Sequence, residues 1–130
     1  MFMSAAKKVV IVEDDSDVRY LYQRKLEIEG FTVYAASDGA AGLAVIKQVR
    51  PDIVLVDLLM PIMSGSEMLA QLRAEEWASD IRVIVLTNIS KDEAPPALRF
   101  LNVDRYVVKA YHTPAQAAGV VHEVLGTRAP

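Results

Sequence analysis

Short apolar runs alternate with amphipathic stretches along this chain, a pattern that predicts successive βα units. Val9-Val10-Ile11-Val12 and Ile53-Val54-Leu55-Val56 are uninterrupted and rich in β-branched residues, as parallel strands buried on both faces are. Phe31 to Ala36, Ile81 to Leu86 and Arg105 to Val108 supply three further strands. Between them, Val18, Leu21, Tyr22 and Leu26 recur at helical spacing, and Glu29-Gly30 ends that helix with a residue that tolerates positive φ. Asp38-Gly39 opens a second helix carrying Leu43 and Ile46; it must stop by Arg50, because Pro51 disfavours helical backbone in the residue before it. Gly42 inside this helix costs about 1 kcal/mol relative to alanine, which points to close backbone packing. Ser64-Gly65-Ser66-Glu67 reads as a capping box ahead of Met68, Leu69 and Leu72. Pro95-Pro96 limits the fourth helix to a short one starting near Pro95. Thr113-Pro114 caps a last helix whose stripe is Ala117, Val120, Val121 and Val124. The fold class is therefore α/β, with a parallel sheet covered by helices on both faces.

Composition narrows the function classes. A chain of 130 residues fits one domain, and a 52% apolar fraction argues against disorder. No apolar run approaches the ~18 to 20 residues that span a bilayer, and Met1 to Lys8 lacks a signal peptide's apolar segment, so a cytoplasmic protein without membrane contact is expected. The absence of cysteine excludes a disulfide framework, a thiolate zinc site and a cysteine nucleophile. A formal charge of −3 without a basic block leaves no footprint for direct nucleic-acid binding.

The chemistry collects at strand ends. Asp57 follows the run at 53–56 directly, Glu13-Asp14-Asp15 follows the run at 9–12, Thr87 ends the fourth strand and Lys109 the fifth. In open α/β sheets the ligand crevice lies just outside the carboxyl ends of the strands. A lone aspartate there is usually a turn former; Thr87 and Lys109 at neighbouring ends select the chemical reading. Clustered carboxylates raise one another's pKa unless a cation keeps them ionised. Mg²⁺ suits such a site, because it takes oxygen ligands and is commonly held by one or two carboxylates together with substrate phosphate. An aspartate can attack phosphorus and become an aspartyl phosphate, with metal, ammonium and hydroxyl each serving one phosphoryl oxygen.

These segments resemble the receiver domain of two-component response regulators. The resemblance rests on Val12-Glu13-Asp14-Asp15, Asp57-Leu58-Leu59-Met60-Pro61 with Gly65, Leu86-Thr87, and Tyr106-Val107-Val108-Lys109, in that order and spacing. It implies one receiver domain over residues 1–130, with its core at about 8–125 and terminal extensions at 1–7 and 126–130. It also implies a doubly wound, flavodoxin-like sheet of five strands in the order 2-1-3-4-5. Asp57 is then the phosphoacceptor for a histidine kinase or histidine phosphotransfer protein. Mg²⁺, or Mn²⁺ in its place, is held by Glu13, Asp14, Asp57 and the backbone carbonyl of Leu59. Counting back from Arg19 puts the metal pair on Glu13 and Asp14, leaving Asp15 at a helix N-terminus; a shift of one residue would give the roles to Asp14 and Asp15. Thr87 and Tyr106 are implied to move together on phosphorylation and to reshape the face of the fourth helix, fifth strand and fifth helix. The chain is then a switch rather than an enzyme, signalling to a protein effector or a fused output domain.

Other features modify this picture. Leu59 stands where aspartate-nucleophile phosphatases carry a second aspartate, which argues against that class, whereas a receiver-like binding module without phosphorylation stays open. Ala110 replaces the usual proline after Lys109, so the Lys109-Ala110 bond is expected to be trans. Asn88 follows Thr87 where alanine is common, and Met63-Ser64-Gly65 replaces a Met-Asp-Gly run. The resemblance implies that Leu59 and Ile89 flank the path of a hydrolytic water, which neither side chain can hydrogen-bond, so a slowly hydrolysed phosphoryl group is expected. His112 and His122 lack partners at ligand spacing, and Met60, Met63 and Met68 are read as packing residues.

Overall fold

Apolar runs of this kind bury both faces only if helices flank the sheet, and the computed structural model, which describes residues 5–130, has that arrangement. Strands β1 (Lys8–Val12), β2 (Thr32–Ala36), β3 (Ile53–Val56), β4 (Arg82–Thr87) and β5 (Arg105–Val108) form one parallel sheet in the order β2-β1-β3-β4-β5. The helices are α1 (Ser16–Ile28), α2 (Gly39–Val49), α3 (Gly65–Arg73) and α4 (Pro114–Leu125). Val10, Val12, Val54, Val56, Val83 and Val85 pack under Leu43, Ile46, Met68, Leu69 and Leu72 of α2 and α3. The alternate residues Val9, Ile11, Ile53, Leu55, Ile84 and Leu86 pack against Tyr22, Leu26, Ala117, Ala118 and Val121 of α1 and α4. The strand order reverses at β1, and the switch point lies between the ends of β1 and β3. Of the expected extension at 1–7, residues 1–4 lie outside the described residues.

The structure departs from the sequence expectations in local ways. Leu21 is 57% exposed and not part of the α1 stripe, because it lies about 100° round the helix from buried Tyr22. No α-helix joins β4 to β5; the short fourth helix expected near Pro95 is replaced by 3₁₀ turns at Lys91–Glu93 and Pro96–Phe100. Pro96 holds Pro95 extended at ψ 129°, and Asn102 turns left-handed at φ 51°, so too little chain remains for a regular helix. Arg73 anchors this connection by donating to the carbonyls of Leu101 and Asn102 at 2.9 and 3.0 Å, and it ties in the turn before β4 through the Ala78 carbonyl at 2.9 Å. The last helix, fifth by sequence, is therefore α4. Strands β2 and β4 each start one residue later than read from the sequence. Only half of the capping box at α3 forms: Ser64 Oγ accepts from the Glu67 N–H at 3.2 Å, and Ser64 also donates to the Glu67 carboxylate. At α4 the Thr113 and Gln116 box is complete.

Gly42 lies where α2 crosses β1, and a Cβ there would meet Val12 Cγ2 at 2.9 Å and Met68 Sδ at 3.0 Å. Gly42→Ala is therefore expected to cost about 1 to 3 kcal/mol through overpacking, despite alanine's better helix propensity. Urea unfolding of the two proteins measures this directly, and an alanine variant as stable as the parent would show that the interface yields without cost.

Candidate functional site

The sheet delivers Asp57 to the site by simple continuation: its N–H bonds the Val12 carbonyl at 3.1 Å, extending the β1 to β3 pairing one residue past the strand. On the other side of β1, the Glu13 N–H bonds the Ala36 carbonyl at 3.0 Å. Glu13, Asp57 and Thr87 are 3%, 8% and 0% exposed, and no other polar or charged side chains among the described residues are as fully buried. The loop after Asp57 is held by the Gly65 N–H, which donates to the Leu58 carbonyl at 3.1 Å. Glycine is required at that point, since a Cβ would lie 2.1 Å from the Asp57 carbonyl oxygen.

The carboxylate of Asp57 is surrounded by donors. Thr87 Oγ1 donates to Oδ1 at 2.6 Å, the Leu59 N–H donates to the same oxygen at 3.2 Å, and Lys109 Nζ donates to Oδ2 at 2.8 Å. Lys109 also pairs with Glu13 Oε1, so one ammonium bridges two carboxylates from different strand ends. Burial raises the pKa of Glu13, as does the charge of Asp57, and these outweigh the opposing pull of Lys109. Burial alone would lower the pKa of Lys109, but its bonds to Asp57 and Glu13 and their charges reverse this, so the ammonium is held above the ordinary lysine range.

Carboxylate oxygens of Glu13, Asp14 and Asp57 lie within 4.8 Å of one another, close enough for a single cation. Asp15 is not in this group. Its Oδ1 accepts from the Asp17 and Val18 N–H groups at 2.9 and 3.1 Å and caps α1, so the shifted assignment to Asp14 and Asp15 is not the one brought together. The Leu59 carbonyl, expected as a ligand, makes no hydrogen bond among the described residues. Tyr106 is half-buried at β5, and its hydroxyl donates to the Ile89 carbonyl at 2.7 Å, just beyond Thr87. Burial, and then the charges of Asp57 and Glu93, raise the tyrosine pKa. The Lys109-Ala110 bond is trans, as expected; no cis bond occurs among the described residues. A 3₁₀ turn at Lys109–Tyr111 follows it directly. The histidines stay outside the acidic group: His112 Nδ1 lies 3.0 Å from the Val108 carbonyl, and the His122 ring packs 4.8 Å from that of Phe31. Arg19, in the sequence no more than a landmark for the acids, binds the turn that carries them through its guanidinium. A cation one turn into a helix that follows an acidic run was the available signal.

Known proteins resemble this chain in sequence and in fold. Residues 9–118 match the response regulator receiver domain family. The transcriptional regulatory protein PrrA of Mycobacterium tuberculosis is 36% identical over 104 residues, covering 80% of this chain and 44% of the relative. A probable transcriptional regulator, ycf27 of Porphyridium aerugineum, is 30% identical over 119 residues, covering 92% of this chain and 48% of the relative. The chain thus spans about half the length of the curated relatives it matches. Among solved structures, chemotaxis protein CheY4 of Vibrio cholerae superposes with a TM-score of 0.85 at 25% identity, covering 92% of this chain and 99% of that one. A CheY-like receiver domain protein from Methanospirillum hungatei gives 0.82 at 27% identity, covering 94% and 95%. With the buried acids, threonine and lysine gathered at the switch point of a β2-β1-β3-β4-β5 sheet, the chain belongs to the receiver domains of two-component response regulators.

Proposed function

We propose that Asp57 is the residue that accepts the phosphoryl group in this receiver, and that residues 8–125 act as one switch unit. The observation that supports this most is the full engagement of its carboxylate by Thr87 and Lys109 at 2.6 and 2.8 Å, beside Glu13 and Asp14 at cation-binding distance. A carboxylate oxygen of Asp57 attacks phosphorus of a phosphohistidine on a kinase or phosphotransfer protein; the P–O bond forms, the P–N bond breaks, and the imidazole keeps the electron pair and takes up a proton. Glu13, Asp14 and Asp57, with the Leu59 carbonyl, are the groups that would hold Mg²⁺ or Mn²⁺. When bound, such an ion supplies positive charge to the phosphoryl oxygens. Lys109 and Thr87 already lie at the two oxygens of the acceptor and pass to the phosphoryl group as it forms.

Movement of Thr87 toward the phosphoryl group would shift the end of β4, where the Ile89 carbonyl holds the Tyr106 hydroxyl. That link lets phosphorylation bias the position of Tyr106 and of the surface formed by β5, α4 and the 3₁₀ turns between β4 and β5. The output is read by protein contact, either by a separate effector or by a fused domain. The net charge of −3, with no run of basic residues in the sequence, lends no support to direct nucleic-acid binding by this unit, and no helix among the described residues is long and apolar enough to cross a membrane.

Incubation with acetyl phosphate and Mg²⁺ is expected to add one phosphoryl mass, and Asp57→Ala to abolish it. A full mass shift in that variant, or none in the parent, would contradict the assignment. The adduct is expected to be long-lived, because Leu59, 65% exposed beside Asp57, and half-buried Ile89 offer a hydrolytic water no hydrogen bond. Leu59→Asn combined with Ile89→Glu should speed its decay at least about tenfold, equivalent to ~1.4 kcal/mol of barrier. Decay followed by mass spectrometry at an unchanged rate would remove these side chains from the account.

A further inference from the structure

Arg19 occupies the first turn of α1, where a cation opposes the helix dipole instead of complementing it. Helical side chains lean toward the N-terminus of their helix, so a long one at this position reaches back over the preceding turn. That is where it goes: one guanidinium nitrogen, Nη1, donates to the Glu13 carbonyl at 2.8 Å and to the Asp14 carbonyl at 3.4 Å. The bond to Asp14 is the only hydrogen bond that residue makes among the described residues. Its neighbours are otherwise fixed, Glu13 by its N–H on the Ala36 carbonyl and Asp15 by capping α1. Asp14 is exposed, and its carboxylate makes no hydrogen bond among the described residues, so its place follows from the backbone that carries it.

We infer that Arg19 is a positioning residue for the cation site, fixing the backbone of Glu13 and Asp14 so that their carboxylates converge with that of Asp57. The inference rests on the Mg²⁺ reading given above. Its sign separates it from simple electrostatics. A nearby cation repels Mg²⁺, so if charge were its main effect, removing Arg19 would tighten binding; if the clamp dominates, removal weakens it. Groups that orient metal ligands from outside the coordination sphere typically contribute roughly 10- to 100-fold in affinity.

The test is calorimetric titration of the whole chain with MgCl₂, together with thermal unfolding without Mg²⁺. Arg19→Met keeps the packing of the aliphatic stem while removing the donors, and Arg19→Lys restores one cationic donor. Arg19→Met is expected to bind Mg²⁺ about tenfold more weakly while unfolding within a few degrees of the parent, and Arg19→Lys to stay within about twofold of it. Equal or tighter binding by Arg19→Met overturns the inference, as does equal weakening in both variants. Should Arg19→Met fail to fold, Arg19→Lys carries the test, with near-parental affinity supporting the clamp and about a tenfold loss overturning it. A parent chain that takes up no Mg²⁺ sinks the metal reading and this inference with it, whereas a parent that binds beside an unaffected Arg19→Met sinks the inference alone.

Discussion

A single ammonium, that of Lys109, stands between the buried carboxylates of Glu13 and Asp57, and the functional end of the molecule depends on it. Two carboxylates brought out of water beside each other are unstable as a pair unless a cation neutralises them. The direction of each pKa records the balance. Lys109 is favoured as a cation, because two anions outweigh its burial, whereas Glu13 is disfavoured as an anion, because burial and Asp57 outweigh one shared ammonium. One ammonium shared with Asp57 does not offset the burial of Glu13. In that sense Glu13 is short of cation, and this is the property on which the proposed Mg²⁺ site rests.

The fold provides this cluster at little cost to itself. Glu13, Asp57, Thr87 and Lys109 each lie at or one residue past the end of a strand, so the ladder that builds the core also places them: the N–H of Asp57 on Val12, the N–H of Glu13 on Ala36, and Thr87 paired with Val108. Fully apolar layers lie beneath, from Val12 and Val56 to Leu43, Met68 and Leu69. Two glycines permit the close approaches involved. Gly42 lets α2 lie on β1, and Gly65 lets α3 start against the carbonyl of Asp57. Glu13 and Asp57 are thereby held by the strand ladder, with the threonine hydroxyl and the lysine ammonium engaged on the Asp57 carboxylate.

Much of this was legible in the sequence because buried parallel strands leave a strong signal. Uninterrupted runs such as 9–12 and 53–56 have one reading, and the polar residue that ends each marks the site. Features decided by tertiary geometry were less visible. Leu21 is apolar at a spacing compatible with the α1 stripe, yet its direction, about 100° from Tyr22, leaves it in solvent. The turn at Pro96–Phe100 is 3₁₀ because the prolines and left-handed Asn102 leave no room for a regular turn, and its anchor, Arg73, is a charged residue that binds only carbonyls. The choice between Glu13 and Asp15 as the partner of Asp14 stayed open to a shift of one residue in the sequence; Asp15 caps α1, and Glu13 is the acid grouped with Asp14 and Asp57.

The shortage of cation is the central physical claim, and replacing one of the acids by a neutral isostere tests it. A raised folded-state pKa means that Glu13 contributes stability below its unfolded pKa, near the ordinary 4.5, and loses it as pH rises through the higher folded value. At pH 7 its ionisation is therefore a cost. Lys109, also raised, keeps its full contribution at that pH and loses it only as pH climbs through its folded pKa above the ordinary 10.5. The decisive measurement is the thermal unfolding midpoint of the parent and of Glu13→Gln at pH 7, each with and without Mg²⁺. The account predicts that Glu13→Gln is the more stable protein without Mg²⁺ and that Mg²⁺ stabilises the parent more. A variant less stable than the parent without Mg²⁺, with an equal gain from the ion, would contradict it.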